Sequence, residues 1–189
     1  MTEGTERLVR EALRVNARYV EEVVIGWDLC PWAARAWQAG QVVQRVFTEA
    51  ALDAGAAAAF IDELAAAPDA AIGLAIFPRV ACTIGAWERF AEQVRRTRAG
   101  APFLVAAFHP DYRAAEGPLD AARLVPLIRR TPDPTLQLVR ASLIDKLRGD
   151  ASADVGRANL ATVTGRGLGA LDTLLADIRR DRDVAYSRL

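Results

Sequence analysis

Cys30 stands directly before a proline in the stretch DLCPWAARAW, residues 28–37, and an amphipathic helix is expected to open just after it. Proline suits a first helical turn, because its φ is already fixed near the helical value and its missing N–H would lack a partner there. With Pro31 in that place Cys30 becomes the cap, its sulfur beside free backbone N–H groups that stabilise a thiolate. The competing reading is a small apolar plug, since Leu29, Trp32, Ala33 and Trp37 surround the cysteine with hydrocarbon. His109 is the only histidine in the chain, so imidazole proton transfer near neutral pH has to use it. It follows an apolar run and precedes Pro110, Asp111 and Tyr112, at the carboxyl end of an expected strand, where open α/β sheets form ligand crevices. In RRTPDPTLQLVRAS, residues 129–142, two arginines precede a rigid turn, Thr135 is a candidate N-cap, and Arg140 falls on the helix expected beyond it. Arginine beside a helix N-terminus suits an anion; the alternative is a solvated charged face.

These residues define a first functional expectation: Cys30 as nucleophile, His109 as general base or acid, Asp111 as its orienter, and Tyr112, Arg130, Thr135 and Arg140 on the substrate. That would be a thiol-dependent transferase or hydrolase acting on a small polar or anionic molecule. It demands that sulfur and imidazole lie within hydrogen-bond reach or one water apart. The second expectation keeps His109 and Asp111 for acid–base work without a covalent step, or has Cys30 and His109 hold a metal ion. The third is a non-catalytic binding or accessory protein. No pair of ligand-type residues has the tight spacing of a metal motif, so neither metal nor organic cofactor is expected. Gly165, Gly167 and Gly169 lack the preceding strand of a dinucleotide loop.

The elements that must position these groups follow from hydrophobic periodicity. Leu8, Leu13, Val20, Val23 and Val24 mark one face of a first helix over residues 5–25, with Gly26 as its stop. Residues 41–47 read as a strand, with Thr48 capping an Ala-rich helix over 49–67; residues 71–78 read as a strand buried on both faces. A helix over 84–98 and a third strand over 102–110 complete a strand-helix repeat, which favours a parallel sheet. Beyond it come a short helix over 121–130, a helix over 135–147 with Leu136, Val139, Leu143 and Leu147 as its stripe, and a last helical stretch over 154–180 broken near its glycines. The fold class is α/β: a small, mainly parallel sheet of three or four strands covered by helices, with a helical C-terminal half. The expected organisation is one domain over 1–189, with an N-terminal helix at 1–26, the strand-helix core at 41–110 and helices at 121–182.

Composition narrows the partners. The 189 residues are 52% hydrophobic and 25% charged, as in a folded globular chain. Twenty-four basic side chains balance 24 acidic ones, so no net field favours nucleic acid or an anionic membrane. The charged N-terminal segment and the lack of a long apolar run lead to a cytoplasmic expectation, and two cysteines in a reducing compartment lead to no expected disulfide. The expected partner is a small molecule; oligomeric state is not legible.

LCPWA at 29–33, FHPDY at 108–112, TPDPTLQLVR at 131–140 and NLAT at 159–162 together resemble, in order and spacing, the bacterial domain of unknown function 1415. The resemblance carries no activity. It implies that Cys30, Pro31, His109, Pro110, Asp111, Tyr112, Pro132, Pro134, Thr135 and Arg140 belong to one recurring pattern that converges on a pocket. The pattern usually carries an aromatic between the two prolines and a histidine after them, where this chain has Asp133 and Gln137. Chemistry that needs the second histidine would be lost here.

Overall fold

The computed structural model describes residues 2–145 and 151–189. Helix α1 (Glu3–Arg18) is capped by the Thr2 side chain and runs without a break into a π-helical segment, Tyr19–Ile25. The wider π turn brings Gly26 against the preceding backbone. A Cβ there would lie 2.4 Å from the Glu22 carbonyl oxygen, so glycine is required by close approach, at an ordinary helical φ of −62°. The left-handed residue of this turn is instead Asp28, at φ 51°. Helix α2 (Ala33–Gln38) begins two residues later than Pro31 would have it, with Trp32 at its cap position.

Strand β1 (Val42–Val46) leads to helix α3 (Ala54–Ala66), whose N-cap is Asp53, accepting from the Gly55 and Ala56 amides; the expected Thr48 cap is too early. Strand β2 (Ile72–Ile76) is buried throughout, as its unbroken apolar run requires. Helix α4 (Ile84–Thr97) is capped by Thr83, and β3 (Phe103–Phe108) follows. Helix α5 (Ala121–Ile128) starts at an Asp120 cap.

The next element corrects the sequence reading. Residues Thr135–Arg140 form a strand, β4, not the first turns of a helix, and only Ala141–Asp145 (α6) is helical; Leu147 of the expected stripe lies outside the described residues. Pro132 and Pro134 disfavour helix for the residues before them, and Thr-Leu-Gln-Leu-Val alternates as a strand does. The C-terminal part resumes with α7 (Ala151–Arg166) and α8 (Leu168–Tyr186), split at Gly167, whose φ of 92° a side chain would resist.

The sheet has the order β1-β2-β4-β3. β1 and β2 pair in parallel, whereas β4 is inserted antiparallel between β2 and β3. The sheet is therefore mixed, where a mainly parallel one was expected. Each face carries its own core. Ala75, Phe77, Ala107, Leu136 and Leu138 pack with Phe60, Leu64, Trp87 and Phe90 of α3 and α4. Ile72, Leu74 and Ile76 pack on the other face with Tyr19, Val20, Val23, Leu124, Leu171 and Ile178. No helix among the described residues is long and apolar enough to cross a membrane.

The first helix is tied to the last by ion pairs. Asp181 of α8 accepts from both terminal nitrogens of Arg14, at 2.7 and 2.8 Å, and from Arg18 at 2.7 Å. These guanidinium groups hold the Asp181 carboxyl down to about 2. A depressed carboxylate adds stability above its unfolded value, near 4, and that stability disappears as pH falls toward 2. At 1.36 kcal/mol per unit over about two units the contribution is at most about 3 kcal/mol, less solvent screening at this partly exposed pair. Denaturant midpoints measured from pH 5 to pH 2 should thus fall less steeply for Asp181→Asn than for the parent; equal slopes would remove this account of the pairing.

Candidate functional site

The alternation of side chains along β3 decides how the expected site residues are distributed. Phe108 points to the face covered by the N-terminal helix, and His109 follows on the opposite face among Trp87 and Tyr112. Two different hollows result. One lies between the π segment and the sheet and is lined by Asn16, Tyr19, Cys30, Thr131, Thr135 and Gln137 among apolar neighbours. The other is a broader open cleft at the carboxyl ends of β2 and β3, where His109 and Asp111 meet Cys82, Thr83, Arg179 and Arg182. Cys30 and His109 do not share a cavity. The expected nucleophile–base pair is not assembled, nor is a shared metal site. Among the described residues no three His, Cys, Asp or Glu side chains cluster as metal ligands would.

His109 is 3% exposed, and its Nδ1 accepts from the Asp111 amide at 3.1 Å. Burial pushes its pKa below the ordinary histidine value, with Asp111 opposing the shift. The ring therefore favours its neutral form and closes the turn at the β3 exit through Nδ1. Asp111 does not orient it through a carboxylate; that group pairs with Arg179 at 2.8 Å and is held below the usual range by it.

Cys30 has the amides its sequence suggests but not their expected consequence. The Ala33 N–H is spent on the Cys30 carbonyl oxygen at 3.0 Å; the Trp32 and Ala33 amides favour the thiolate, yet burial outweighs them and, with Asp28 nearby, pushes the thiol above its ordinary value. Helix α2 has only six residues, too few for a substantial dipole. The cysteine is a neutral thiol in a half-buried wall.

The remaining expected contacts are also taken up within the fold. Tyr112 donates to Glu88, and Arg130 bridges the Leu127 carbonyl and Asp172. Arg140 extends away from the Cys30 cavity to three carbonyls, Leu64 at 3.0 Å and Ala67 at 2.8 Å at the end of α3 and Ala70 at 2.9 Å in the turn beyond it. Its substrate-binding expectation is corrected by β4: alternation puts Arg140 on the α3 face, whereas Thr135 and Gln137 face the cavity. Thr135 is no N-cap; its hydroxyl donates to the Asp133 carbonyl oxygen, as does that of Thr131. Asp133 is the centre of that turn. Fully buried, it accepts from Arg182 at 2.9 Å and Tyr186 at 2.6 Å, while burial pushes its carboxyl above the usual range.

Around the Cys30 cavity the four recurring motifs do meet, through a different membership from the expected one. Cys30, Phe108, Thr131, Thr135 and Gln137 line it, and Asn159 holds the loop before Cys30 by donating to the Leu29 carbonyl at 3.0 Å. A family model described as a protein of unknown function, DUF1415, matches residues 11–171. The chain belongs to the DUF1415 family. No curated protein and no solved structure matches it. The DUF1415 match spans every residue of the Cys30 cavity. Asn16 and Tyr19 are the polar cavity residues that motif reading missed. Asn16 has a detectable signal: it is the one amide on the buried stripe of α1, in line with Leu8, Ala12 and Val15.

Proposed function

We propose that this DUF1415 protein binds a small uncharged molecule in the cavity between the π segment and the sheet, with the Cys30 thiol in its wall. The observation that carries the reading is the convergence of four separate sequence motifs on that cavity, three by lining it and one by holding its loop. No Arg, Lys, Asp, Glu or His lines it, and its ionisable groups, Cys30 and Tyr19, are both pushed toward their neutral forms by burial. An ion entering would lose hydration without gaining a counter-charge. A neutral ligand selected by shape and hydrogen bonds fits. A thiol-dependent transferase or hydrolase fits less well, because the cavity offers the sulfur no base.

A second reading places an anion in the His109 cleft, favoured by Arg179 and Arg182 on its rim. One experiment separates the two. Full-length protein incubated with a metabolite extract and recovered by gel filtration should retain a neutral compound, detected by mass spectrometry. Gln137→Trp, which fills the cavity, should release that compound, whereas Arg179→Ala should keep it. An anionic compound lost from Arg179→Ala and kept by Gln137→Trp would transfer the site to the cleft and end the cavity reading.

A further inference from the structure

Exposed apolar side chains are ordinary when scattered singly, but a pair that faces one hollow is not. Ile84, 37% exposed, and Val125, 36% exposed, line the same hollow of about 280 Å³ between the start of α4 and the middle of α5. Helical spacing brings their neighbours into it. Ile84 and Glu88 stand four residues apart on one face of α4, and Val125 and Arg129 stand four apart on one face of α5 and its cap. Tyr112 lies between the two helices with its hydroxyl donating to Glu88, and Arg113 and Pro126 complete the lining. The charges here do not cancel. Glu88 is the one carboxylate of the lining, and it already accepts from Tyr112. Among the described residues neither the Arg113 nor the Arg129 guanidinium has a hydrogen bond or an ion pair. Arg129 lies over the Phe108 ring, 5.4 Å from its centre, and Asp111, two residues before Arg113, is paired with Arg179 at 2.8 Å.

We infer that this hollow binds a small amphipathic anion, its hydrocarbon body between Ile84, Val125 and Pro126 and its charged head toward Arg113 and Arg129. The site is separate from the Cys30 cavity and stands or falls without it. Two features select the class. Apolar surface left in water on both flanking helices favours hydrocarbon, and two guanidiniums without a counter-ion favour an anion over a neutral molecule. A cation would find Glu88 alone, against both arginines. The volume lies at the small end of ligand pockets, which suits a short chain.

Three probes of one chain length test it on the full-length protein near neutral pH: octanoate, octan-1-ol and octylammonium, titrated with methyl NMR as the readout. Octanoate should bind about tenfold more tightly than octan-1-ol, and octylammonium more weakly than the alcohol. Octanoate should shift the Ile84 and Val125 methyl signals and leave those of Val20 and Val24, in the wall of the Cys30 cavity, in place. That measurement needs no variant. Ile84→Glu should abolish octanoate binding without unfolding the chain, because residue 84 is exposed and opens α4, where a carboxylate suits the helix N-terminus. Arg113→Gln combined with Arg129→Gln should reduce octanoate to the affinity of octan-1-ol and leave the alcohol unchanged. Equal affinities for octanoate and octan-1-ol in the unmodified chain, or tighter binding of octylammonium, would overturn the anionic head. Octanoate shifts that spare Ile84 and Val125, octanoate binding that survives Ile84→Glu, or no binding of any probe would remove the site.

Discussion

Asp133→Ala should lower the unfolding free energy by about 3–5 kcal/mol, the range for removing one partner of a buried ion pair. The carboxylate is fully buried, with Arg182 Nε at 2.9 Å and the Tyr186 hydroxyl at 2.6 Å. Truncation leaves the Tyr186 hydroxyl without its acceptor and takes the buried counter-charge from Arg182, whose position on the open cleft lets water replace part of the loss. The lower end of the range is expected, because Arg182 keeps the Pro78 carbonyl at 3.1 Å and Asp183 at 2.9 Å. Asp133→Asn preserves shape and an acceptor and should cost less. Urea titrations provide the measurement, and a cycle with Tyr186→Phe gives the coupling, expected at about 0.5–3 kcal/mol for groups in one network. A loss below about 1 kcal/mol would mean that α8 does not hold the TPDPT turn through this contact. The consequence extends to the cavity. Thr131 and Thr135 are both fixed by the Asp133 carbonyl, so Asp133→Ala should also weaken ligand retention there.

The sequence made the strand-helix core legible because the elements carry strong local signals. β2 is a continuous apolar run closed by proline, α4 has a Thr cap and a one-sided aromatic stripe, and the final helical stretch divides at Gly167. β4 was misread because Leu136, Val139 and Leu143 satisfy a helical spacing as well as Leu136 and Leu138 satisfy an alternating one. Only insertion between β2 and β3 decides between them, and that is a long-range pairing. The site suffered from the same loss. Motifs that recur together were legible as a set, but Phe108 and His109 are adjacent in the chain and opposite in space. Sequence adjacency does not show which face a motif residue serves when the strand beneath it ends at that residue. Asp133, noticed only as a departure from the family pattern, is a buried anchor whose partners lie 49 and 53 residues further along the chain.

Arg140→Leu should cost about 2–4 kcal/mol without changing what the Cys30 cavity binds, given about 1.5–3 kcal/mol for a charged hydrogen bond and the non-additivity of three that share one guanidinium. The last carbonyls of any helix lack intrahelical partners, and α3 has no basic residue in its own last turn. Arg140 supplies the missing cation from β4, reaching Leu64, Ala67 and Ala70 while its guanidinium lies 4.7 Å from the centre of the Phe103 ring. Leucine retains apolar packing but leaves these carbonyls without that donor. Arg140→Lys provides the sharper comparison, because a single ammonium on a flexible stem cannot reproduce a planar fork over three acceptors and a ring. It should therefore recover only part of the loss in a urea titration. Full recovery by lysine would reduce the interaction to charge alone. A variant of unchanged stability that no longer retained the neutral compound would instead return Arg140 to the ligand, a role its direction across the sheet opposes.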